Sequence, residues 1–196
     1  MKCAGPILAG IVLSLLATAS PSQERRSAKA GHELSYSDDE GYVVLSEILG
    51  EAFRANGNEL MNIRRLAITP RSLDHCTKVP DDFQDAAADF KKKIGVKYVF
   101  EKKFSPSLKY KLVTIISLRG SAPEHAAPGT TTGKTRNVTG VYYVSAVGFD
   151  KNKTHAIAYM EYLCGELCGQ DSFYFLLKSK NGWESATGIT GCGRIF

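Results

Sequence analysis

The sequence predicts an α+β fold. Three observations carry that expectation. Two stretches with helical apolar spacing lie in the first half, residues 138–189 read as alternating strands broken by turn residues, and both helices precede that run of strands.

The first helix is expected from Ser37. Ser37 and Glu40 stand at capping-box spacing, and Tyr42, Leu45, Ile48, Leu49, Ala52 and Phe53 repeat along one face. Gly57 suits a left-handed C-cap. An apolar strand, residues 63–69, follows and is stopped by Pro70. Residues 71–80 form a loop holding His75 and Cys76. A second helix over residues 80–95 opens with Pro80, Asp81 and Asp82 and closes with Lys91, Lys92 and Lys93, charges that complement the helix dipole. Its buried stripe is Phe83, Ala87, Phe90 and Ile94. Residues 97–104 and 109–118 are strand-like, and residues 120–137, rich in Gly, Pro, Ala and Thr, form a mobile loop.

The C-terminal part is a four-stranded antiparallel meander: residues 138–149, 154–163, 171–179 and 183–189. The Asn181-Gly182 pair marks its last hairpin, because both residue types tolerate positive φ. The two helices are expected to cover one face of a curved antiparallel sheet.

A chain of 196 residues with 43% hydrophobic and 23% charged residues suggests one domain and excludes a wholly disordered or fibrous protein. A net charge of +5 is too dilute for the footprint of a nucleic-acid binder. Lys2, an apolar run from Ile7 to Ala17 and the small residues Ala17-Thr18-Ala19 read as a cleavable signal peptide over residues 1–19, with an uncleaved N-terminal anchor as the alternative. Residues 20–36 then form a flexible leader, and residues 37–196 the single domain.

Export places the mature protein in the periplasm or outside the cell. Cys3 leaves with the signal, and the four remaining cysteines, Cys76, Cys164, Cys168 and Cys192, favour structural disulfides. Two pairings compete, Cys164–Cys168 across a hairpin and Cys168–Cys192 at the same sheet edge, and Cys76 takes the cysteine left over. The rival is zinc held by Cys164, Cys168 and Cys192 with His75 or Cys76, but a single Cys-x3-Cys pair is a poor match for structural zinc knuckles. No metal or cofactor is expected.

The stretch SAVGFDKNKTHAIAYMEYLCGELCG followed by FLLKSKNGW resembles a recurrent signature of exported bacterial proteins without a known activity. The 63–69 strand and the 80–95 helix fit that family's N-terminal half, so the likeness spans roughly residues 40 to 190. Gln170-Asp171-Ser172 and Glu184-Ser185 depart from the pattern. The resemblance implies bacterial export and a shared fold, by analogy nuclear-transport-factor-2-like or cystatin-like. It transfers no catalytic residues.

No catalytic set stands out. His75 and Cys76 are adjacent and point apart in an extended chain. His155 and Glu161 are too far apart along one strand for a dyad, about 20 Å. The leading expectation is a non-catalytic exported binding or structural protein stapled by disulfides. The alternative is a small enzyme with a pocket between helices and sheet, lined by His155, Tyr143 and Tyr159, with Tyr142 and Tyr162 nearby. The residues name no partner; an envelope component or another protein is the candidate, and no nucleic acid is expected. Peripheral contact with an anionic membrane surface would run through Lys91, Lys92, Lys93, Lys102 and Lys103. The more ordinary role for those lysines is solvation and protection of strand edges.

Overall fold

The computed structural model describes residues 32–57, 59–70, 79–114, 140–165, 168–186 and 193–195. The expected signal peptide, most of the leader, the 120–137 loop and Cys76 and Cys192 lie outside the described residues.

Strand β1 (Leu34–Ser35) precedes helix α1 (Asp39–Ala55), and β2 (Met61–Arg64) follows it. A 3-10 turn, Asp81–Phe83, leads into α2 (Gln84–Lys93). The remaining strands are β3 (Tyr98–Val99), β4 (Tyr110–Val113), β5 (Val141–Val144), β6 (Gly148–Phe149), β7 (His155–Gly165), β8 (Cys168–Ser179), β9 (Gly182–Ser185) and β10 (Gly193–Ile195). Among the described residues no helix is long and apolar enough to cross a membrane.

Eight strands form one mixed sheet ordered β10-β8-β7-β5-β2-β4, with β6 also against β7 and β9 also against β8. The expected meander is present: β5 and β6, β7, β8 and β9 pair antiparallel in chain order. The sheet is not antiparallel throughout, because β2 runs parallel to both β4 and β5. Parallel pairing needs a crossover connection, and the long β2–β4 segment containing α2 supplies one. β1 and β3 form a separate parallel pair. Tyr36, placed in the leader by sequence, is buried at 2% exposure, so the fold begins before Ser37.

The cap of α1 is Asp38 rather than Ser37; its carboxylate accepts the Gly41 N–H. Glu40 is thereby released from capping. Its Oε1 accepts from Trp183 Nε1 and Lys178 Nζ, each at 2.7 Å, and ties the start of α1 to the β8–β9 hairpin. These two donors, Lys178 first, hold the Glu40 carboxyl below its usual range. At the far end Gly57 takes φ +70 after the C-cap Asn56, as expected. In the last hairpin Ser179 pairs with Gly182, so the two loop residues are Lys180 and Asn181. Gly182 alone carries positive φ (+123) there, and Asn181 does not share it.

The helices lie on opposite faces of the sheet, not on one. Successive strand residues point to opposite sides. On β7, Ala156, Ala158 and Met160 pack in the core under α1, with Val44, Leu45, Ile48 and Leu49. Ile157 and Tyr159 pack instead with Phe83, Ala86, Ala87 and Phe90 of the α2 segment, and with Phe173 and Phe175 of β8. Phe90 is wholly buried, a contribution of about 1.5–3 kcal/mol relative to leaving it in water.

The segment SAVGFDKNKTH, residues 145–155, resolves into packing chemistry. Ser145 Oγ accepts the Tyr159 N–H at 2.9 Å, standing in for a ladder carbonyl where β5 gives way to β6. Val147 N–H donates to Tyr36 OH, and its carbonyl accepts from Lys93 Nζ. Gly148 lies under α2, where a Cβ would run into Phe90 Cβ and N and the Ala86 carbonyl. Asp89 accepts the Phe149 N–H, and Asp150 accepts from Thr154 and His155 across the β6–β7 turn.

Candidate functional site

The residues singled out by sequence do not converge. His155 begins β7, half-buried, edge-on to Phe83 with ring centroids 4.9 Å apart, and its Nδ1 is 3.0 Å from Thr154 Oγ1. Tyr159 is buried (5% exposed), with its ring centroid 4.8 Å from that of Phe173. Tyr143 shares their face of the sheet but lies further along it, opposite Glu161. Tyr142 and Tyr162 face the α1 side, with centroids 4.6 Å apart. Asn56 Nδ2 donates to Tyr142 OH. Burial first, then Tyr162 and Tyr174, pushes Tyr142 up to about 12. A phenol so reluctant to ionise is a packing group, not a base at neutral pH.

Cys164 and Cys168 form a disulfide, with Cα atoms 5.2 Å apart. The ladder partner of Cys168 is Gly165, and a register irregularity between Leu163 and Gly165 brings Cys164 alongside. Among the described residues no three His, Cys, Asp or Glu side chains are grouped to hold a metal ion. Of the lysines, Lys91, Lys92, Lys102 and Lys103 are exposed and Lys93 is half-buried. Lys93 is tied to Asp89 at 2.7 Å and Lys103 lies 3.7 Å from both Asp39 and Glu101. The stretch is therefore not a uniform basic stripe.

The register does gather polar residues elsewhere. Arg64, Tyr143, Glu161 and Asp171 lie at one level across β2, β5, β7 and β8, with the apolar Val113 of β4 beside Arg64: Arg64 pairs with Val113, Tyr143 with Glu161, and Glu161 with Asp171. The β2–β5 register, with Ile63 opposite Tyr142, extends by one residue to place Arg64 beside Tyr143. This row lies on the α2 face, next to the row of Tyr159 and Phe173 where the aromatic packing ends.

At the β4 side the row opens into a groove of about 390 Å³, lined by Glu33, Arg64, Arg65, Leu66, Val99, Val113 and Thr114. That volume is within the range of small-molecule sites, about 300–1,000 Å³. Its floor is apolar: Leu66 bridges to Val99, and Val113 is the register partner of Arg64. The Arg64 guanidinium lies 5.2 Å from the centre of the Tyr143 ring. Arg64 is half-buried and makes no ion pair with any described carboxylate, whereas Lys93 and Lys178 are paired. Arg65 is exposed at the rim; its backbone N–H donates to Val113 and its carbonyl accepts from Phe100. A stacked arginine still presents its N–H edge for bidentate contact with an oxyanion.

Sequence reasoning placed Arg64 and Arg65 on a strand without assigning them a role. The one available signal was alternation. With Ile63 buried, Arg64 must point to the opposite face. What meets it there depends on which strands lie beside β2, and both neighbours are distant in the chain.

Compared with protein-family models, with curated proteins and with solved structures, the chain gives no match. The groove and the polar row therefore rest on their own geometry.

Proposed function

We propose that this chain is an exported, non-catalytic binding protein, and that its site is the groove between β2, β3 and β4 with Arg64 as its charged anchor. The observation that carries the reading is Arg64 itself: half-buried, stacked on Tyr143, without a described carboxylate partner, and on the wall of a largely apolar groove. An oxyanion reaching Arg64 would meet a guanidinium restrained by the Tyr143 ring, with no described carboxylate paired to it. Export is supported by the leader-like residues 1–19 and by the Cys164–Cys168 disulfide, which suits an oxidising compartment. The absence of a catalytic role is supported by the packing roles of the titratable groups named above. His155 and Asp150 brace a turn, Glu40 ties α1 to a hairpin, and Tyr142 is held protonated.

The test is a thermal-shift screen of anionic, neutral and cationic small molecules against the wild-type protein and Arg64→Ala, with turnover followed on the same panel. Anions that raise the melting temperature of the wild type alone, without turnover, are expected. Turnover abolished by a point change would sink the non-catalytic reading, and hits unaffected by Arg64→Ala would displace the site. N-terminal sequencing of the mature protein and a non-reducing peptide map test export and sulfur pairing together.

A further inference from the structure

We infer that the groove takes a single-headed amphipathic anion, an alkyl chain ending in one carboxylate or phosphate, with the head on Arg64 and the chain along Leu66, Val99 and Val113. The inference rests on the binding reading above and adds the chemistry of the ligand.

Three features fix the class. The first is charge. Two arginines and one carboxylate, Glu33, line the groove, so its balance is positive and an ammonium head is disfavoured. Arg65 is exposed at the rim, where water screens it, whereas Arg64 is half-buried. That leaves Arg64 as the one strong anchor, enough for one oxyanion and too little for a polyphosphate. The second is the floor. Leu66, Val99 and Val113 offer aliphatic surface, which gains from an alkyl chain through burial alone and asks nothing of it in hydrogen bonds. The third is that the described lining includes no aromatic ring, so a planar base has no aromatic stacking platform there. The contact with the Tyr143 ring, 5.2 Å from guanidinium carbon to ring centre, restrains the Arg64 side chain, so less freedom is lost when an oxyanion docks on it.

The experiment is isothermal titration calorimetry of the full-length mature protein with decanoate, decyl phosphate, decanol and decylammonium, each below its micelle concentration, and with hexanoate and octanoate for chain length. Decanoate, decyl phosphate or both are expected to bind, the better of the two naming the head, while decanol and decylammonium do not. Each added methylene is expected to tighten binding by about fourfold until the floor is filled. Arg64→Gln is expected to weaken the preferred anion about 10- to 100-fold with an unchanged melting temperature, and Arg64→Lys to recover part of the loss. Should Arg64→Gln prove unfolded by circular dichroism, Leu66→Gln provides the second readout: the anion still binds and the chain-length dependence flattens. Decanol binding as tightly as decanoate, or affinity indifferent to both variants, overturns the inference. If no alkyl probe binds but another anion from the screen shifts the wild type and not Arg64→Ala, the amphipath is wrong and the binding site stands. If no molecule of any class shifts the wild type, both fall.

Discussion

On one face of the sheet, the 17-residue helix α1 runs about 25 Å and its apolar stripe meets aromatic and aliphatic side chains from Trp183 at one end to Tyr142 and Tyr162 at the other. On the other face, the 10-residue helix α2 runs about 15 Å and meets apolar residues only from Phe83 and Ile157 to Tyr159 and Phe173. The next row on that face carries Arg64, Tyr143, Glu161 and Asp171. The sheet has the same alternation on both sides, so helix length sets how far the hydrophobic cover extends. Where α2 stops, the strand positions that would otherwise be core become available to charge. The α1 face carries the larger core; the α2 face carries a smaller core and, beyond the end of α2, the candidate site.

The sharpest way to break this comparison is Phe90→Ala, which removes the largest fully buried side chain of α2. A loss of about 4 kcal/mol in urea unfolding is expected. A loss below about 1 kcal/mol would mean that α2 is an accessory and the second face has no core of its own. Gly148→Ala tests the same contact from the strand side. With α2 backbone and Phe90 in the way of a Cβ, about 3 kcal/mol should be lost, and tolerance of the change would show that α2 can lift off without consequence.

Removing the Cys164–Cys168 bridge by double Ser substitution should cost about 2 kcal/mol at most, since the closed loop is short. A larger loss would show that the hairpin tip supports more of the sheet than the β7–β8 ladder suggests. Glu40→Gln should cost about 1 kcal/mol at neutral pH, after allowance for its partial exposure. Because the Glu40 carboxyl is depressed in the folded state, its contribution is present above its unfolded value, about 4.3, and is lost as pH falls through the lower folded value. The variant should therefore show a shallower loss of stability in acid; parallel acid limbs would refute the clamp. Arg64→Gln should change stability by no more than about 0.5 kcal/mol, because Arg64 holds no buried partner. Strong destabilisation would turn the proposed anchor into a structural residue.

Much of the framework was legible from local patterns. The α1 stripe from Tyr42 to Phe53 and the C-terminal meander follow from spacing and turn residues, and they are found where the spacing places them. The errors are of a different kind. Asp38 displaced Ser37 as the cap because a one-residue shift costs nothing in the pattern yet frees Glu40 for a partner 143 positions away, Trp183. The parallel pairing of β2 and the burial of Tyr36 depend on contacts with strands far along the chain. Of the candidate site, Tyr143 was visible as a named residue, while Arg64 was visible only as half of a strand's alternation.

The sequence by itself determined which residues face inward on each element, since periodicity is a property of neighbours a few positions apart. It also determined the α+β order of those elements and the hairpin between residues 163 and 171, while leaving two partners open for Cys168. Only the tertiary structure decided that the two helices take opposite faces and that Arg64, Tyr143, Glu161 and Asp171 stand in one row. Those facts depend on which strand lies beside which and on the register between them, and both are settled by the packing of segments that are remote in the chain.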